Sequence, residues 1–429
     1  MKNVLIIGGG LSGLSAAVNL LNKKLNVILL EASPKLGGRA YSFIEPKTKV
    51  SVDNGQHIMM SCYHHTMDYL SKINALDKLS IQERLKVNFV GRGNTNFNLV
   101  IPKRLYPLNL LFGFLNFNAL SFKERLKVID FFLDLICCFE EDLRNYSVYD
   151  WLKKKKQSDH TIKSLWEILC VGIMNTSVHK ASAELFAYVL KEIFLNGSKN
   201  FQIVLPKVSL SELFVEPAYQ LLKETSAIVK CNEKVIGIQL SENGYNVKTS
   251  SAKYENIDFI ISAVPFFALD RILQNSNIPI KQFIRLEYSP ILSVHIWLNE
   301  NIFDKEFYGL IDSDIHWVFN HGSYISIVVS SATNLISLPK AEIIEKIVCE
   351  LEKFFSMFSR KQILNFQIIK EKRATFIPNV DSVKQREMMK FEMDNFYVAG
   401  DWTNTGLPGT IEGAIKSGKI CADAVKALH

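Results

Sequence analysis

The sequence predicts an α/β protein in which a parallel-sheet domain, discontinuous along the chain, carries an inserted mixed α+β domain. Three observations carry that expectation. A strand, a glycine turn and a helix open the chain at residues 4–7, 8–13 and 11–21. A second strand, a glycine and a helix start stand near its other end, at residues 396–399, 400–401 and 410–414. Between them, alternating runs at 227–238 and 245–249 and the apolar run 259–264 supply further strands.

Val4 to Ile7 are apolar in succession, as a strand covered on both faces requires. Gly8 permits the tight turn, Gly10 lets backbone approach a pyrophosphate, and Gly13 lets helix and strand touch. The helix beginning at Leu11 and Ser12 offers free N–H groups and a positive dipole end at the same place. The next strand, residues 26–30, runs into Glu31 and Ala32, putting a carboxylate where ribose hydroxyls need an acceptor. This pattern is Rossmann-like, and NAD and FAD both satisfy it. Gly37 and Gly38 then leave backbone room beside a bulky planar group, and Arg39 can neutralise phosphate or flavin charge.

The run from Glu31 to Arg39 resembles the Gly-Gly-Arg segment of the flavin amine oxidase and phytoene desaturase superfamily, which implies FAD and an amine oxidase-like fold. By the same resemblance Val235 presents its backbone to the adenine. At the other end, Gly400 permits close approach and Asp401 can hydrogen-bond a ribityl or phosphate-proximal hydroxyl. The helix starting at Gly409, Thr410 and Ile411 aims its positive end at the flavin, where it stabilises negative charge on the reduced ring. The FAD-binding domain is then expected to comprise residues 1–75, 206–268 and 392–429. The substrate domain takes 76–205, read as mainly helical, and 269–391, read as a sheet part. Helices are expected at 122–139, 162–174, 181–195 and 341–358, and strands at 291–298 and 324–330.

Asp53-Asn54-Gly55-Gln56-His57, Leu165-Trp166-Glu167, Met174-Asn175-Thr176, Leu205-Pro206-Lys207-Val208-Ser209-Leu210-Ser211-Glu212-Leu213-Phe214 and Gly400-Asp401-Trp402-Thr403-Asn404-Thr405-Gly406-Leu407-Pro408 sharpen the resemblance. Together they are similar to the squalene-associated FAD-dependent desaturases, or hydroxysqualene dehydroxylases, along the whole chain. Gly409, where alanine is common, and Ile168-Leu169, where Pro-Leu is usual, depart from that pattern. The resemblance implies removal of the hydroxyl of hydroxysqualene to give squalene, by hydride transfer from reduced flavin to a carbocation. Gly55, Gln56 and His57 are expected beside the flavin. His57 is the first candidate for the acid, and Tyr63, Asn175 and Thr176 are candidate contacts to the hydroxyl. The competing readings are a carotenoid-type desaturase using oxidised FAD, an amine oxidase, and an FAD-holding scaffold without turnover. The electron donor cannot be read: no second GxGxxG marks a nicotinamide site.

A chain of 429 residues with 48% hydrophobic and 22% charged residues is globular and large enough for two or three domains. Its net charge of +7, without a basic stripe interleaved with aromatics, points away from nucleic acid. Seven cysteines without a CxxC pair suggest neither a metal cage nor a disulfide framework, and favour a reducing, cytoplasmic setting. The apolar run at 105–120 is interrupted by Pro107, Asn109, Asn116 and Asn118 and is not expected to span a membrane. Peripheral contact with the inner face of the cytoplasmic membrane stays open. Apolar groups at 110–115 and 131–136, upstream of Lys153-Lys154-Lys155-Lys156, suit either an interfacial surface or ordinary core helices.

Overall fold

A strand apolar on both faces is stable only in the middle of a covered sheet, and the N-terminal strand lies there. In the computed structural model, which describes residues 1–21, 24–276, 284–389 and 393–428, β1 (Lys2–Ile7) is the central strand of a five-stranded sheet. It is flanked by β2 (Leu25–Leu30) and by Phe259–Ser262, with Ile228–Lys230 and Phe396–Val398 at the edges, and every pairing is parallel. Segments more than two hundred residues apart thus complete one sheet. α1 (Leu11–Leu20) is buried along its full length, packed between this sheet and the C-terminal helix Ile411–Ala427. A Cβ on Gly418 of that helix would lie 2.0 Å from the Ser12 carbonyl oxygen, so the two backbones touch.

Helices predominate in residues 76–205, as expected, but the segment also holds strands that were not expected. Leu85–Gly91 and Thr95–Ile101 form an antiparallel hairpin. Leu85, Val87 and Phe89 are buried and alternate with Lys86 and Asn88, the period-two pattern of a strand. The hairpin joins a seven-stranded sheet in the order Ile363–Phe376, Tyr288–Leu298, Tyr324–Val329, Trp317–Asn320, Phe307–Leu310, Leu85–Gly91, Thr95–Ile101. The two insertions therefore build one sheet, meeting where Phe307–Leu310 pairs in parallel with Leu85–Gly91. The helix Lys340–Phe354 covers it with Ile343, Ile347, Leu351 and Phe354.

Around the other insertion lie α2 (His64–Lys72), α3 (Leu108–Leu115) and α4 (Phe122–Cys137), with Glu167–Met174 and Ala183–Phe194 in the segments expected to be helical. Ser121 and Glu124 close a capping box at the start of α4. Of the apolar groups that sequence left undecided, Leu110, Phe114, Phe131, Phe132 and Leu135 enter the core, whereas Phe112, Leu133 and Ile136 face outward. Three of the four lysines of the run are paired within the protein: Lys153 with Asp159, Lys155 with Asp134, and Lys154 over the Tyr146 ring. Among the described residues no helix is long and apolar enough to cross a membrane. The domain boundary expected at 391/392 falls outside the described residues.

Candidate active site

The glycine turn after β1 is held by backbone. Gly8 has φ +105° and donates to Leu30 O at 2.7 Å, and a Cβ on Gly13 would fall 1.9 Å from Gly8 O. Gly37 N donates to Gly9 O at 2.8 Å, which lays the Gly37-Gly38 turn against the first turn. A Cβ on Gly10 would meet only the Gly38 Cα within 4 Å, at 3.8 Å, so space is open above the start of α1. No side chain caps that helix. Its first amides therefore face the open space with the positive end of the dipole behind them, the electrostatic form an anion needs.

Glu31 accepts from Gly9 N and Ser33 N, each at 2.7 Å, one with each oxygen. A carboxylate has about four lone-pair directions, so capacity remains for hydroxyl donors. Glu233 N donates to Glu31 O at 2.9 Å and Asn232 N to Ser33 O at 3.0 Å, which brings the buried Val235 at the next strand start to the same end of the sheet.

Arg39 ties three parts of the chain together. Its Nη2 donates to Asp401 Oδ1 at 2.5 Å and its Nη1 to Ala374 O at 2.7 Å. Burial opposes the guanidinium charge, but the Asp401 carboxylate outweighs it and holds the pKa above the ordinary value. One Asp401 oxygen is thus engaged by Arg39, leaving the other for a hydroxyl. Gly400, at φ +145°, donates to Ser417 Oγ at 2.8 Å, and Arg386 braces the following loop through Thr403 O and Leu407 O.

Two segments that sequence treated separately are joined here. Asp53 Oδ1 accepts from Ser42 Oγ at 2.7 Å and from Leu210 N at 2.9 Å, while Ser42 and Ser211 exchange backbone-to-hydroxyl bonds. Burial raises the Asp53 pKa against these donors. Asn54 Nδ2 donates to Arg39 O at 2.8 Å, so the segment leading to Gly55, Gln56 and His57 is anchored on the Gly-Gly-Arg turn. His295, which sequence reasoning missed, sits on the other side: its Nε2 meets Asp53 O at 2.9 Å and its Nδ1 meets Ser326 Oγ at 2.7 Å. The signal that could have found it is the polar pair Ser293 and His295 inside an otherwise apolar strand. Burial lowers the pKa of both His295 and the half-buried His57 to about 4.

Tyr63 directly precedes α2, and burial pushes its phenol well above the ordinary range. Glu412 caps α2 from the C-terminal helix: its carboxylate accepts from His65 N at 2.9 Å, Thr66 N at 2.8 Å and Thr66 Oγ1 at 2.6 Å. The start of that helix, where Thr410 Oγ1 accepts from Gly413 N, is thereby fixed beside the first turn of α2, which Tyr63 precedes. Asn175 is a joint: Nδ2 donates to Thr375 Oγ1 and Ser289 O, and Oδ1 accepts from Ser331 N. Its amide is thus engaged on both sides by the protein. Thr176 Oγ1 and Ser293 Oγ are buried with no partner among the described residues. A separate surface pocket of about 450 Å³, lined by Arg92, Tyr149, Lys163, Glu167 and His316 among others, contains none of the residues of either glycine signature.

The family model described as flavin containing amine oxidoreductase matches residues 11–426. The chain is 28% identical over 433 residues to a hydroxysqualene dehydroxylase of Zymomonas mobilis, covering 97% of each. It is 27% identical over 437 residues to that of Sinorhizobium fredii, covering 98% of each. The 15-cis-phytoene desaturase of Glycine max is 24% identical over 458 residues, covering 99% of this chain and 79% of that protein. Among solved structures, a putrescine oxidase bound to putrescine superposes with a TM-score of 0.74 at 15% identity, covering 99% of each chain. The chain therefore belongs to the flavin containing amine oxidoreductases, and it is an FAD-dependent oxidoreductase.

Proposed function

We propose that this enzyme removes the hydroxyl of hydroxysqualene, a C30 polyisoprenoid alcohol, to give squalene. The observation that carries the reading is the end-to-end similarity to two hydroxysqualene dehydroxylases, over 97% and 98% of this chain. In the net reaction a C–O bond breaks, a C–H bond forms at the ionised carbon, and the oxygen leaves as water after taking a proton. Bound, reduced FAD supplies the hydride equivalent.

The remaining tasks fall to side chains and backbone. In this reading the dinucleotide lies along residues 1–75, 206–268 and 392–429, and the insertions 76–205 and 269–391 enclose the substrate. Gly8, Gly10, Leu11, Ser12 and Gly13 hold the pyrophosphate on the uncapped end of α1, and Glu31 and Ala32 take the ribose. Val235 meets the adenine. Gly37, Gly38, Arg39, Gly55, Gln56, His57, Gly400, Asp401, Gly409, Thr410 and Ile411 surround the rest. Arg39 orients Asp401, and Asn175 fixes the joint beside Thr176, whose unpaired hydroxyl is free to contact the substrate oxygen together with Tyr63.

His57 is the proton donor in this reading. With its pKa held at about 4 by burial, only about one imidazole in a thousand is charged at pH 7. A depressed histidine gains its proton as pH falls, so squalene formation is expected to rise about tenfold per pH unit between pH 7 and 5. His57→Gln should flatten that profile. An unchanged slope in His57→Gln assigns the proton elsewhere.

The reaction itself is tested without oxygen: chemically reduced enzyme mixed with hydroxysqualene should yield squalene as the flavin is oxidised in equal amount. Recovery of hydroxysqualene with the flavin still reduced refutes the reading. Conjugated product from phytoene and oxidised enzyme would replace it with desaturation.

A further inference from the structure

We infer that the outer faces of α3 and α4 form a docking surface for an anionic lipid bilayer. α4 is built with three faces. Val128, Phe131, Phe132 and Leu135 enter the core, and Lys123, Lys127, Asp130 and Asp134 form a polar side. The third side carries Phe122, Leu126, Ile129, Leu133 and Ile136, spaced four, three, four and three residues apart, so they line one stripe along the helix. This stripe is outside the core: Phe122 is 65% exposed and Leu133 60%, with Leu126 and Ile136 also exposed and Ile129 half-buried.

The adjoining α3 repeats the arrangement. Leu110 and Phe114 are buried, while Leu108 and Phe112 are exposed and Leu111 and Leu115 half-buried. Arg125 binds the two helices by donating to Leu115 O at 2.9 Å and Leu120 O at 2.7 Å, which holds its guanidinium against the backbone. Leu105 before α3 is 69% exposed, and Phe139 after α4 is 70% exposed. A core needs one apolar face per helix; a second stripe of Leu, Ile and Phe left in water costs hydration free energy unless something covers it.

Charge selects the occupant. Residues 84–123 contain Arg84, Lys86, Arg92, Lys103, Arg104 and Lys123 and not one Asp or Glu. Among the described residues Lys103, Arg104 and Lys123 are in no ion pair; on α4 Asp130 pairs with Lys127 and Asp134 with Lys155, while Glu124 is turned inward onto the Ser121 and Ser158 hydroxyls. Glu140, just beyond Phe139, is held by Lys191. Apolar side chains flanked by uncommitted cations suit the boundary between headgroups and acyl chains of an anionic leaflet. A second copy docking on these faces by two-fold symmetry would put the unpaired Lys103, Arg104 and Lys123 on both sides of the contact.

The test is flotation of the FAD-loaded enzyme with vesicles. The protein should float with phosphatidylcholine vesicles carrying about one third phosphatidylglycerol and stay largely in solution with pure phosphatidylcholine. Lys103→Gln/Arg104→Gln/Lys123→Gln should weaken partitioning roughly a hundredfold and remove most of its salt dependence. Phe112→Ser/Leu126→Ser/Leu133→Ser alters only exposed side chains; it should fold with full flavin content and lose flotation. The proposal is overturned if wild type stays in solution with both vesicle types, if the serine variant floats as wild type does, or if the serine variant instead converts a wild-type dimer to monomer in light scattering.

Discussion

Gly13→Ala is expected to yield little soluble protein, and the recovered fraction should unfold at much lower urea than wild type. The added methyl would lie 1.9 Å from the Gly8 carbonyl oxygen, and neither a methyl group nor a backbone oxygen has a rotamer that relieves it. α1 cannot retreat, because its opposite side touches the C-terminal helix at Ser12 and Gly418. Overpacking a tight core costs about 1–3 kcal/mol, and a backbone clash clamped from both sides belongs at about 3 or above. Gly10→Val supplies the contrast. Its side chain enters the open space above α1, so the variant should keep the wild-type circular dichroism and the urea midpoint of FAD-free wild type yet purify colourless. Stoichiometric FAD in Gly10→Val would contradict the placement of the pyrophosphate there.

Arg39→Met should lower the stability of the FAD-free protein by about 2–3 kcal/mol, read from the shift of its urea transition. Removing one partner of a fully buried ion pair costs about 3–5 kcal/mol, and the figure here is reduced because the Arg39 side chain is 35% exposed while that of Asp401 is 5% exposed. Methionine keeps the stem and its packing, so the loss reports the ion pair together with the Nη1–Ala374 O hydrogen bond. Asp401→Asn should recover much of the stability in the Arg39→Met background, since an amide needs no countercharge. If the single variant is as stable as wild type, the pair does not hold the three segments together.

The parts of the fold legible in the sequence are those whose physics is local. Four successive apolar residues before Gly8, a helix start without a cap and a carboxylate after β2 each act within a few positions. The hairpin at Leu85–Gly91 and Thr95–Ile101 also had a local signal, alternation around Arg92-Gly93-Asn94, but it lies in an insertion dominated by amphipathic helices and was absorbed into them. What one sequence cannot show is pairing across distance. Glu412 caps α2 from 347 residues away, and His295 meets Asp53 across 242. The stripe on α4 is a third case: sequence displays two apolar sides on that helix, and only the packing of Phe131 and Phe132 decides which is spent on the core.

The strand Phe396–Val398 and the helix packed on α1 have a consequence for biosynthesis. Until residues 396–427 have left the ribosome, the nascent chain holds a sheet with one edge strand missing and α1 uncovered on the side where Ile415 and Gly418 belong. A polypeptide stalled before Phe396 therefore exposes the apolar side of α1 to water, the kind of surface that chaperones and proteases recognise.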